Sequence, residues 1–508
     1  MIRIGVLGSY FVLLASLVHP ADAQPANADV IKRGEYLARA GDCFSCHTQP
    51  NGALMAGGLK VDTPYGGIYS PNITPDPETG IGKWTDDQFY KVMHDGITPD
   101  GTYLYPVMPF DHYTNVTRDD DMAIKAYLFS LPPVHAATKP DTLHFPYNIR
   151  TSLLAWRTLF FKPDTFKPDP AQSAQVNRGA YLVEGLGHCG ACHTPRNALS
   201  ASIASDQLGG GEITGQGWFA PNISSDVREG VGGWSEQDLV DYLKTGVAKG
   251  HAIVTGPMSE VVHTSMAYMT NDDLHAIAAY LKATPAKALY NDSKQQTKTE
   301  TGEVAYMTQC SFCHQANGRG INGVIPSLAG NGAVTAGGPQ DVIRTVLNGM
   351  PAAGPYAPMP GLLRALPPGE IADIVNYVRT SWGNNAPADA TPDMAGTLMQ
   401  STSTMLSGTA PCAPVHPASV ASALQSTEAK RALHQVNAGN TLETVRGILP
   451  KLKAAAHDAS QADIINGLTA AYCPVVMADT SMKPEQRLQQ LQRFSMLVFT
   501  GLSGQPLK

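Results

Sequence analysis

Apolar residues recur at helical spacing in three well-separated stretches of the chain. In 122–128, 274–281 and 370–378 they follow one another at intervals of three and four positions, which gives each stretch one face to bury. Acidic residues near the start of the second and third stretches suit a helix N-terminus, and prolines follow the first and second. The pattern predicts three helices, each of which closes a separate unit of the fold.

The sequence around these helices is also repeated. Residues 33–37 and 178–182 both read Arg-Gly-x-Tyr-Leu, and a Pro-Asn-Ile triplet occurs at 71–73 and again at 221–223. A third, more divergent copy keeps Gly302 and Tyr306. Such repeats indicate tandem units of one type. We therefore predict an all-α protein with three tandem domains, which we call the first, second and third units, over 24–140, 173–286 and 287–385. A connector over 141–172 and a linker with a small helical extension over 386–508 complete the chain.

Each unit contains one Cys-x-x-Cys-His pentapeptide, the attachment signal of a c-type haem. Zinc knuckles and redox dithiols also use paired cysteines, but no second ligand pair lies near any copy, and a redox motif would occur once. We therefore predict three cytochrome c domains, each with a covalently bound haem. The attachment cysteines and the histidines that bind the iron are Cys43, Cys46 and His47, then Cys189, Cys192 and His193, then Cys310, Cys313 and His314.

The second axial ligand of each iron is expected in a loop before the closing helix. A methionine there raises the reduction potential relative to a second histidine, and a neighbouring proline stiffens the loop. The proline-flanked methionines predicted to be these ligands are Met108, Met258 and Met359. Other residues compete for the same role: Met350 in the third unit, Met266 and Met269 in the second, and His94, His112, His251 and His263 as bis-histidine ligands. An open position would instead suit a haem enzyme such as a peroxidase.

The first 23 residues have the composition of a secretory signal peptide. Arg3 precedes an apolar run over 4–18, and residues 21–23 read Ala-Asp-Ala, a small-x-small cleavage site. The run is shorter than the ~20 apolar residues that a membrane anchor needs. Export would place Cys412 and Cys473 in an oxidising compartment, where we predict a disulfide rather than two free buried thiols.

The net charge and the apolar pattern of the C-terminal residues indicate which classes of partner the chain could bind. The net charge is −7 at pH 7 and no basic stripe is present, which argues against a nucleic-acid partner. Residues 386–417 are rich in Ala, Pro, Thr and Ser and are predicted to be a linker. The final helix, predicted near 484–502, has an apolar face that packs on its own domain or docks onto a partner subunit or the membrane surface.

Three phrases resemble a known family: the second haem motif with its flanks at 187–197, the stretch 222–235, and the Ser-Trp-Gly-Asn of 381–384. They are similar to the triheme cytochrome c subunit of bacterial membrane-bound periplasmic dehydrogenases, of the alcohol, aldehyde, gluconate and fructose dehydrogenase type. The resemblance covers residues 30–385.

This resemblance implies that a separate, large catalytic subunit of quinoprotein, molybdopterin or flavin type oxidises the substrate, and it allows for a small third subunit. Electrons would then pass through three haems to ubiquinone. The chain would be peripheral on the periplasmic side of the inner membrane. An alcohol or aldehyde dehydrogenase is the first expectation for the partner, and a flavin-dependent sugar or sugar-acid dehydrogenase is the alternative. A second alternative for the function of the chain itself is a multihaem carrier that feeds an oxidase. No catalytic residues are expected, because no dinucleotide-binding fingerprint or nucleophile elbow is present.

Overall fold

The computed structural model describes residues 28–502 apart from 214, 289–299, 363–365, 408–411, 413–414, 416, 426 and 438. The predicted signal peptide at 1–23 lies outside these residues. The described part is mainly helical, with short strands in its loops. Within it, no helix combines the length and the apolar character needed to cross a membrane.

The first unit is built on two crossing helices, α1 (Ala28–Ala40) and α5 (Arg118–Ser130). Where they cross, a Cβ on Gly34 would lie 1.9 Å from the carbonyl oxygen of Ala123, so only glycine allows this approach. The elements between them are β1 (Lys60–Thr63), β2 (Gly66–Tyr69), α2 (Cys43–His47), α3 (Asp86–Asp95) and α4 (Phe110–Tyr113). The connector adds β3 (Thr142–Leu143), which pairs with β2, and α6 (Leu153–Phe160).

The second unit repeats this arrangement. Helix α7 (Ala174–Tyr181) packs on α11 (Asn271–Ala283), and a Cβ on Gly179 would lie 1.9 Å from the carbonyl oxygen of Ala276. The other elements are α8 (Gly190–His193), β4 (Gly211–Ile213), β5 (Trp218–Ala220), α9 (Glu236–Thr245), β6 (Val247–Ala248), β7 (Ala252–Ile253) and α10 (Gly256–Thr264).

One residue more separates the repeated arginine from the haem motif in the second unit than in the first. Cys43 follows Arg33 by ten positions, whereas Cys189 follows Arg178 by eleven. The structure absorbs the extra residue in a π-helical turn, Leu182–Leu186, directly after α7. A single inserted residue in a helix commonly produces such a turn. The two motifs therefore keep the same relation to their helices despite the insertion.

The third unit again pairs an early helix, α12 (Glu300–Gln309), with a closing helix, α16 (Pro368–Thr380). Its other elements are α13 (Ser311–His314), α14 (Gly332–Thr335), α15 (Gln340–Asn348), β8 (Gly349–Met350) and β9 (Met359–Pro360). The closing helices contain the three predicted apolar stretches and begin two to four residues before them. All strand pairs are antiparallel and two to four residues long, and the sequence pattern missed them because such short hairpins carry no period of their own.

The C-terminal extension is a helical layer with its own core. Its elements are α17 (Pro392–Ser407), α18 (Ala418–Ala423), α19 (Thr427–His434), α20 (Thr441–Ala455), α21 (Gln461–Ala478) and α22 (Pro484–Leu502). The core is centred on Tyr472 and Phe494, whose rings lie 4.6 Å apart. The sulfur atoms of Cys412 and Cys473 are within bonding distance, so the structure joins the predicted pair. Phe494 of α22 is fully buried, so part of the apolar face of this helix packs on its own domain.

The three units are not equally independent. One continuous apolar core joins the first and second units and includes Leu37 and Tyr127 as well as Leu182 and Leu281. The third unit has a separate core, to which α17 contributes Leu398. The pairing of the first two units is a long-range feature that a linear repeat does not reveal.

Matching hydrogen bonds cross the interface between the first two units. In the first unit Arg33 pairs with Asp120, and Tyr181 of the second unit donates to the same carboxylate at 2.6 Å. In the second unit Arg178 pairs with Asp273 at 2.8 Å, and Tyr36 of the first unit donates to it at 2.5 Å. Each unit thus supplies an arginine to its own aspartate and a tyrosine to its neighbour's. The interface therefore has approximate two-fold symmetry.

Candidate haem sites

The histidines of the first two motifs are held in one orientation by backbone carbonyls. Nδ1 of His47 lies 2.8 Å from the carbonyl oxygen of Pro71, and Nδ1 of His193 lies 2.6 Å from that of Pro221. A carbonyl oxygen only accepts hydrogen bonds, so the proton must reside on Nδ1. Nε2 then keeps its lone pair, which is the arrangement of a metal-binding histidine with a second-shell acceptor. These residues therefore fit an iron ligand.

The third histidine is less tightly held. Nδ1 of His314 is buried and has no hydrogen bond of normal geometry within the described residues. Burial lowers the pKa of His314, and the backbone carbonyl of Pro326 opposes this effect. Pro326 lies where the other units place Pro71 and Pro221, so the same acceptor is present with a looser contact. Burial likewise lowers the pKa of the other two histidines, which favours the neutral, metal-binding form.

The paired cysteines are thiols in this structure, and they stand in for the thioether sulfurs of an attached haem. Burial is the main cause that raises the pKa of Cys43, Cys46 and Cys189 to about 12. Burial also raises the pKa of Cys310 to about 11. A reactive dithiol depends on a lowered thiol pKa. The raised pKa of these four thiols is therefore the opposite of what a redox-active dithiol needs.

Each candidate methionine lies between its haem motif and the closing helix, but only Met108 lies in a loop as predicted, since Met258 belongs to helix α10 and Met359 to strand β9. Met108 and Met258 both pack against the core shared by the first two units. In the third unit, Met359 of β9 is the register partner of Met350 in β8. Directly opposed residues on antiparallel strands project from the same face, so the third site presents two methionines side by side. Met266 and Met269 are 4% and 2% exposed among core residues, which suits packing rather than coordination.

The alternative histidines have other partners. His94 stacks on Tyr90, and His251 stacks on Trp234 with ring centroids 4.7 Å apart. Nδ1 of His263 lies 2.6 Å from the carbonyl oxygen of Ser259 in its own helix. His112 lies against the second motif, since its Cε1 would be 2.9 Å from a Cβ on Gly190, and its Nδ1 is 3.3 Å from the carbonyl oxygen of Glu184. Each has a local role that does not require a haem iron.

The first two motifs lie close together. The hydroxyls of Ser45 and Thr264 are 2.7 Å apart, which joins the first motif to the helix that carries Met258. Tyr113 donates to the carbonyl oxygen of Gly41 at 2.6 Å and packs edge-on against His188, which directly precedes the second motif. The loops that bear the two haem attachment points therefore contact each other. The third motif is more open, since Phe312 within it is 92% exposed.

Buried imidazoles with a free Nε2, paired cysteines in apolar surroundings and crossed helices at glycine define a c-type cytochrome. Residues 299–382 match the cytochrome c family. The chain is 39% identical to the cytochrome c subunit of the quinone alcohol dehydrogenase of Gluconacetobacter polyoxogenes, over 75% of this chain and 86% of that protein. It is 40% identical to the gluconate 2-dehydrogenase cytochrome c subunit of Pantoea cypripedii, over 73% and 89%. It is 39% identical to the fructose dehydrogenase cytochrome subunit of Gluconobacter japonicus, over 72% and 82%. The chain belongs to this family of dehydrogenase cytochrome c subunits.

Proposed function

We propose that the chain is the electron-transfer subunit of a periplasmic dehydrogenase complex and carries three c-type haems. Each pair of cysteines would attach one haem, and each motif histidine would bind its iron through Nε2. The observation that carries the proposal is the matched hydrogen bond from Nδ1 of His47 and His193 to a proline carbonyl, at 2.8 and 2.6 Å. That contact recurs at equivalent places of two repeats and prepares both histidines for a metal.

The proposed ligands on the opposite faces are Met108, Met258 and Met359. A haem closed by His and Met supplies a one-electron Fe(III)/Fe(II) couple and has no open position for a substrate. The protein's part is then to hold the ligands rigidly and exclude water. The proline carbonyls fix the histidines, and proline-flanked segments hold the methionines. Such sites pass electrons on without chemistry of their own.

We further propose that the electrons come from a large catalytic subunit and go to ubiquinone at the periplasmic face of the inner membrane. The named relatives support the donor, because their names are those of cytochrome subunits of dehydrogenases. Identity to the alcohol, gluconate and fructose relatives is nearly equal, at 39%, 40% and 39%, so similarity does not select the substrate. The domains proposed are those of the three repeat units, preceded by the cleaved signal at 1–23.

The haem count is tested by intact mass of the purified chain. Three haem adducts are expected, and replacing both cysteines of one motif by alanine should remove one adduct each time. The disulfide cysteines Cys412 and Cys473 provide the matched control, since their replacement should leave the haem mass unchanged. Fewer than three adducts would contradict the proposal.

The donor and acceptor are tested with the intact complex. A panel of ethanol, an aldehyde, gluconate and fructose should include one substrate that reduces the haems, and a soluble ubiquinone analogue should reoxidise them.

Carbon monoxide should leave the spectrum of the reduced protein unchanged, because the methionines close each iron. Carbon monoxide binding with peroxidase turnover would instead favour a haem enzyme, and direct reoxidation by an oxidase without quinone would favour a soluble carrier.

The choice between the two methionines of the third site is tested by separate histidine substitutions. Met359→His should convert one haem to a bis-histidine spectrum, whereas Met350→His should not. The reverse result would transfer the ligand role to Met350.

A further inference from the structure

Among the described residues of the first unit, one buried carboxyl group has no hydrogen-bond partner. Asp121 of α5 is fully buried, and neither of its carboxylate oxygens has a hydrogen bond within the described residues. Leaving such a group unpaired in an apolar interior costs stability. Asp120, its neighbour, differs in this respect, because Arg33 and Tyr181 both bind it.

The repeat shows that the fold does not require an acid at this position. Asp121 is the fourth residue of α5, and the fourth residues of α11 and α16 are Leu274 and Ile371. Both aliphatic residues are fully buried, as Asp121 is. Two of the three units thus fill the position with a hydrocarbon side chain that packs in the core. The first unit has an unpaired acid in its place, which indicates a role other than packing.

Asp121 lies near the first haem-attachment motif. Its charge adds to the effect of burial in raising the pKa of Cys43 and of Tyr113, so the carboxyl is near both groups. Tyr113 in turn binds Gly41, two residues before Cys43. The group therefore stands close to the proposed attachment point of the first haem, in surroundings of low polarity where an electrostatic interaction is strong.

Arg118 is the one positively charged group that lowers the pKa of Asp121 among the causes found for it. Burial is the main cause that raises the pKa of Asp121 to about 9; Asp120 adds to this and Arg118 opposes it. Arg118 itself is paired with Asp87 of α3 at the surface. The titratable and charged groups around the site are Asp120 and Arg118 of α5, Arg33 of α1, Asp42 and Cys43 at the first motif, Tyr113 of α4, Asp87 of α3 and Tyr181 of α7.

We propose that Asp121 is the proton acceptor that couples protonation to reduction of the first haem. This inference rests on the proposed function, because it needs a haem attached at Cys43 and Cys46. When one electron arrives from the dehydrogenase, the positive charge near Asp121 falls by one, and the carboxylate takes up one proton from periplasmic water. When the electron leaves for the next acceptor, the carboxyl returns the proton. Charge near the buried site is thereby kept constant.

The sign of the effect follows from linkage. Reduction removes positive charge, so the carboxyl holds its proton more tightly in the reduced protein than in the oxidised protein. Between the two pKa values, each pH unit then changes the reduction equilibrium tenfold, which is about 59 mV for a one-electron couple. Outside that window the potential is independent of pH. The second and third haems lack the acid and should not show this window from the same cause.

The test is a spectroelectrochemical titration of the intact complex from pH 5 to 9. The first haem is assigned as the component whose spectrum becomes bis-histidine in Met108→His. Its potential should fall with rising pH in the wild-type protein, and Asp121→Asn and Asp121→Leu should both remove most of this fall. Asp119→Asn is the matched control, because it removes an exposed carboxylate from the same turn and should leave the fall intact.

A second readout follows the proton directly. The infrared difference spectrum of reduced minus oxidised protein should contain the carbonyl band of a protonated carboxyl, and this band should be absent from Asp121→Leu. A pH-independent potential in the wild type, or a fall that persists in both Asp121 variants, would overturn the proposal. Haem mass is measured on every sample, so loss of a haem, which would speak against the proposed function, is distinguished from loss of the proton coupling. Because Leu occupies the equivalent place in the second unit, Asp121→Leu is expected to fold and retain its haem.

Discussion

Removing the phenolic hydroxyls at the interface of the first two units should lower the free energy of unfolding, by different amounts at the two sites. Tyr181 donates to Asp120 at 2.6 Å and accepts from the backbone N–H of Thr117 at 3.2 Å. Tyr36 makes the corresponding contacts with Asp273 and Thr270, at 2.5 and 3.3 Å. In each case the hydroxyl links a helix N-cap of one unit to an early helix of the other. The variants Tyr181→Phe and Tyr36→Phe remove these bonds and keep the rings.

The expected cost follows from the burial of each site. A hydrogen bond to a charged group contributes about 1.5–3 kcal/mol, and an unsatisfied buried partner adds to the loss. Tyr181 is 6% exposed and Asp120 is 3% exposed, so water cannot replace the hydroxyl. We therefore expect about 3 kcal/mol for Tyr181→Phe. Tyr36 is only partly buried, so about 1.5 kcal/mol is expected there, and roughly their sum in the double variant.

The pH at which the protein unfolds in acid is a second test of the hydrogen bonds to Asp273. Burial alone would raise the pKa of Asp273, but hydrogen bonds from Arg178 and Tyr36 lower it overall. A carboxylate with a lowered folded-state pKa stabilises the protein above its unfolded value of 3.8, and this contribution is lost as the pH falls. Tyr36→Phe should therefore move the acid transition to higher pH.

The assay is urea unfolding of the haem-loaded chain, followed by the haem absorbance and by tryptophan fluorescence. Tyr268→Phe is the matched control, since that side chain is 54% exposed and its ring stays over Arg39. A Tyr181→Phe variant within about 0.5 kcal/mol of wild type, the usual range for surface substitutions, would refute the role given to this hydroxyl.

Other substitutions test the remaining features. Gly179→Ala should destabilise by several kcal/mol in urea unfolding, because its Cβ would lie 1.9 Å from a backbone oxygen, whereas Gly447→Ala in α20 has nothing within 4 Å and should gain up to ~1 kcal/mol of helix propensity. Replacing Cys412 and Cys473 together by serine should cost the extension about 4 kcal/mol on the chain-entropy model for a separation of 61 residues, and equal melting of oxidised and reduced protein would contradict this. Burial raises the pKa of Asp341 from 3.8 to about 6, against the effects of the Phe219 amide and nearby arginines. The folded state then holds the proton more tightly, so stability should fall as the pH rises from 3.8 to about 6, and Asp341→Asn should flatten this slope.

The repeated phrase Arg-Gly-x-Tyr-Leu shows how far sequence reasoning reaches. Its repetition predicted related helices, and the structure gives each member a task. The arginine binds the aspartate of its own closing helix, the glycine allows the helices to cross, and the leucine enters the shared core. The tyrosine binds the aspartate of the other unit. The contacts of the arginine and the glycine lie within one unit, between its early helix and its closing helix. The contact of the tyrosine depends on how two units meet, and no local pattern encodes that.

At the candidate haem sites, the local sequence pattern predicted the ligand residues but not the contacts that orient them. Spacing identified the histidines, but the carbonyls that orient them were visible only as a repeated proline, at 71 and 221. The extra residue before Cys189 could have been counted in the sequence, yet its accommodation as a π-turn depends on the neighbouring core. The opposition of Met350 and Met359 follows from a two-residue hairpin that is too short to predict. Each of these features depends on residues that are far apart in sequence.

The first two units share one scaffold, so differences between their proposed haem sites must arise at positions where the two sequences differ. Helix crossings, caps and histidine acceptors are the same in both, so they cannot set the potentials apart. Several differences carry charge, and one is directly beside the motifs, where Asp42 precedes Cys43 and His188 precedes Cys189. Asp121 of the first unit corresponds to Leu274 of the second. Burial raises the pKa of both closing-helix tyrosines; at Tyr127 Glu35 adds to this and Arg39 opposes it, whereas at Tyr280 Glu184 reinforces it. Because a charge acts strongly in such an apolar interior, we expect these substitutions to give the two proposed haems different reduction potentials.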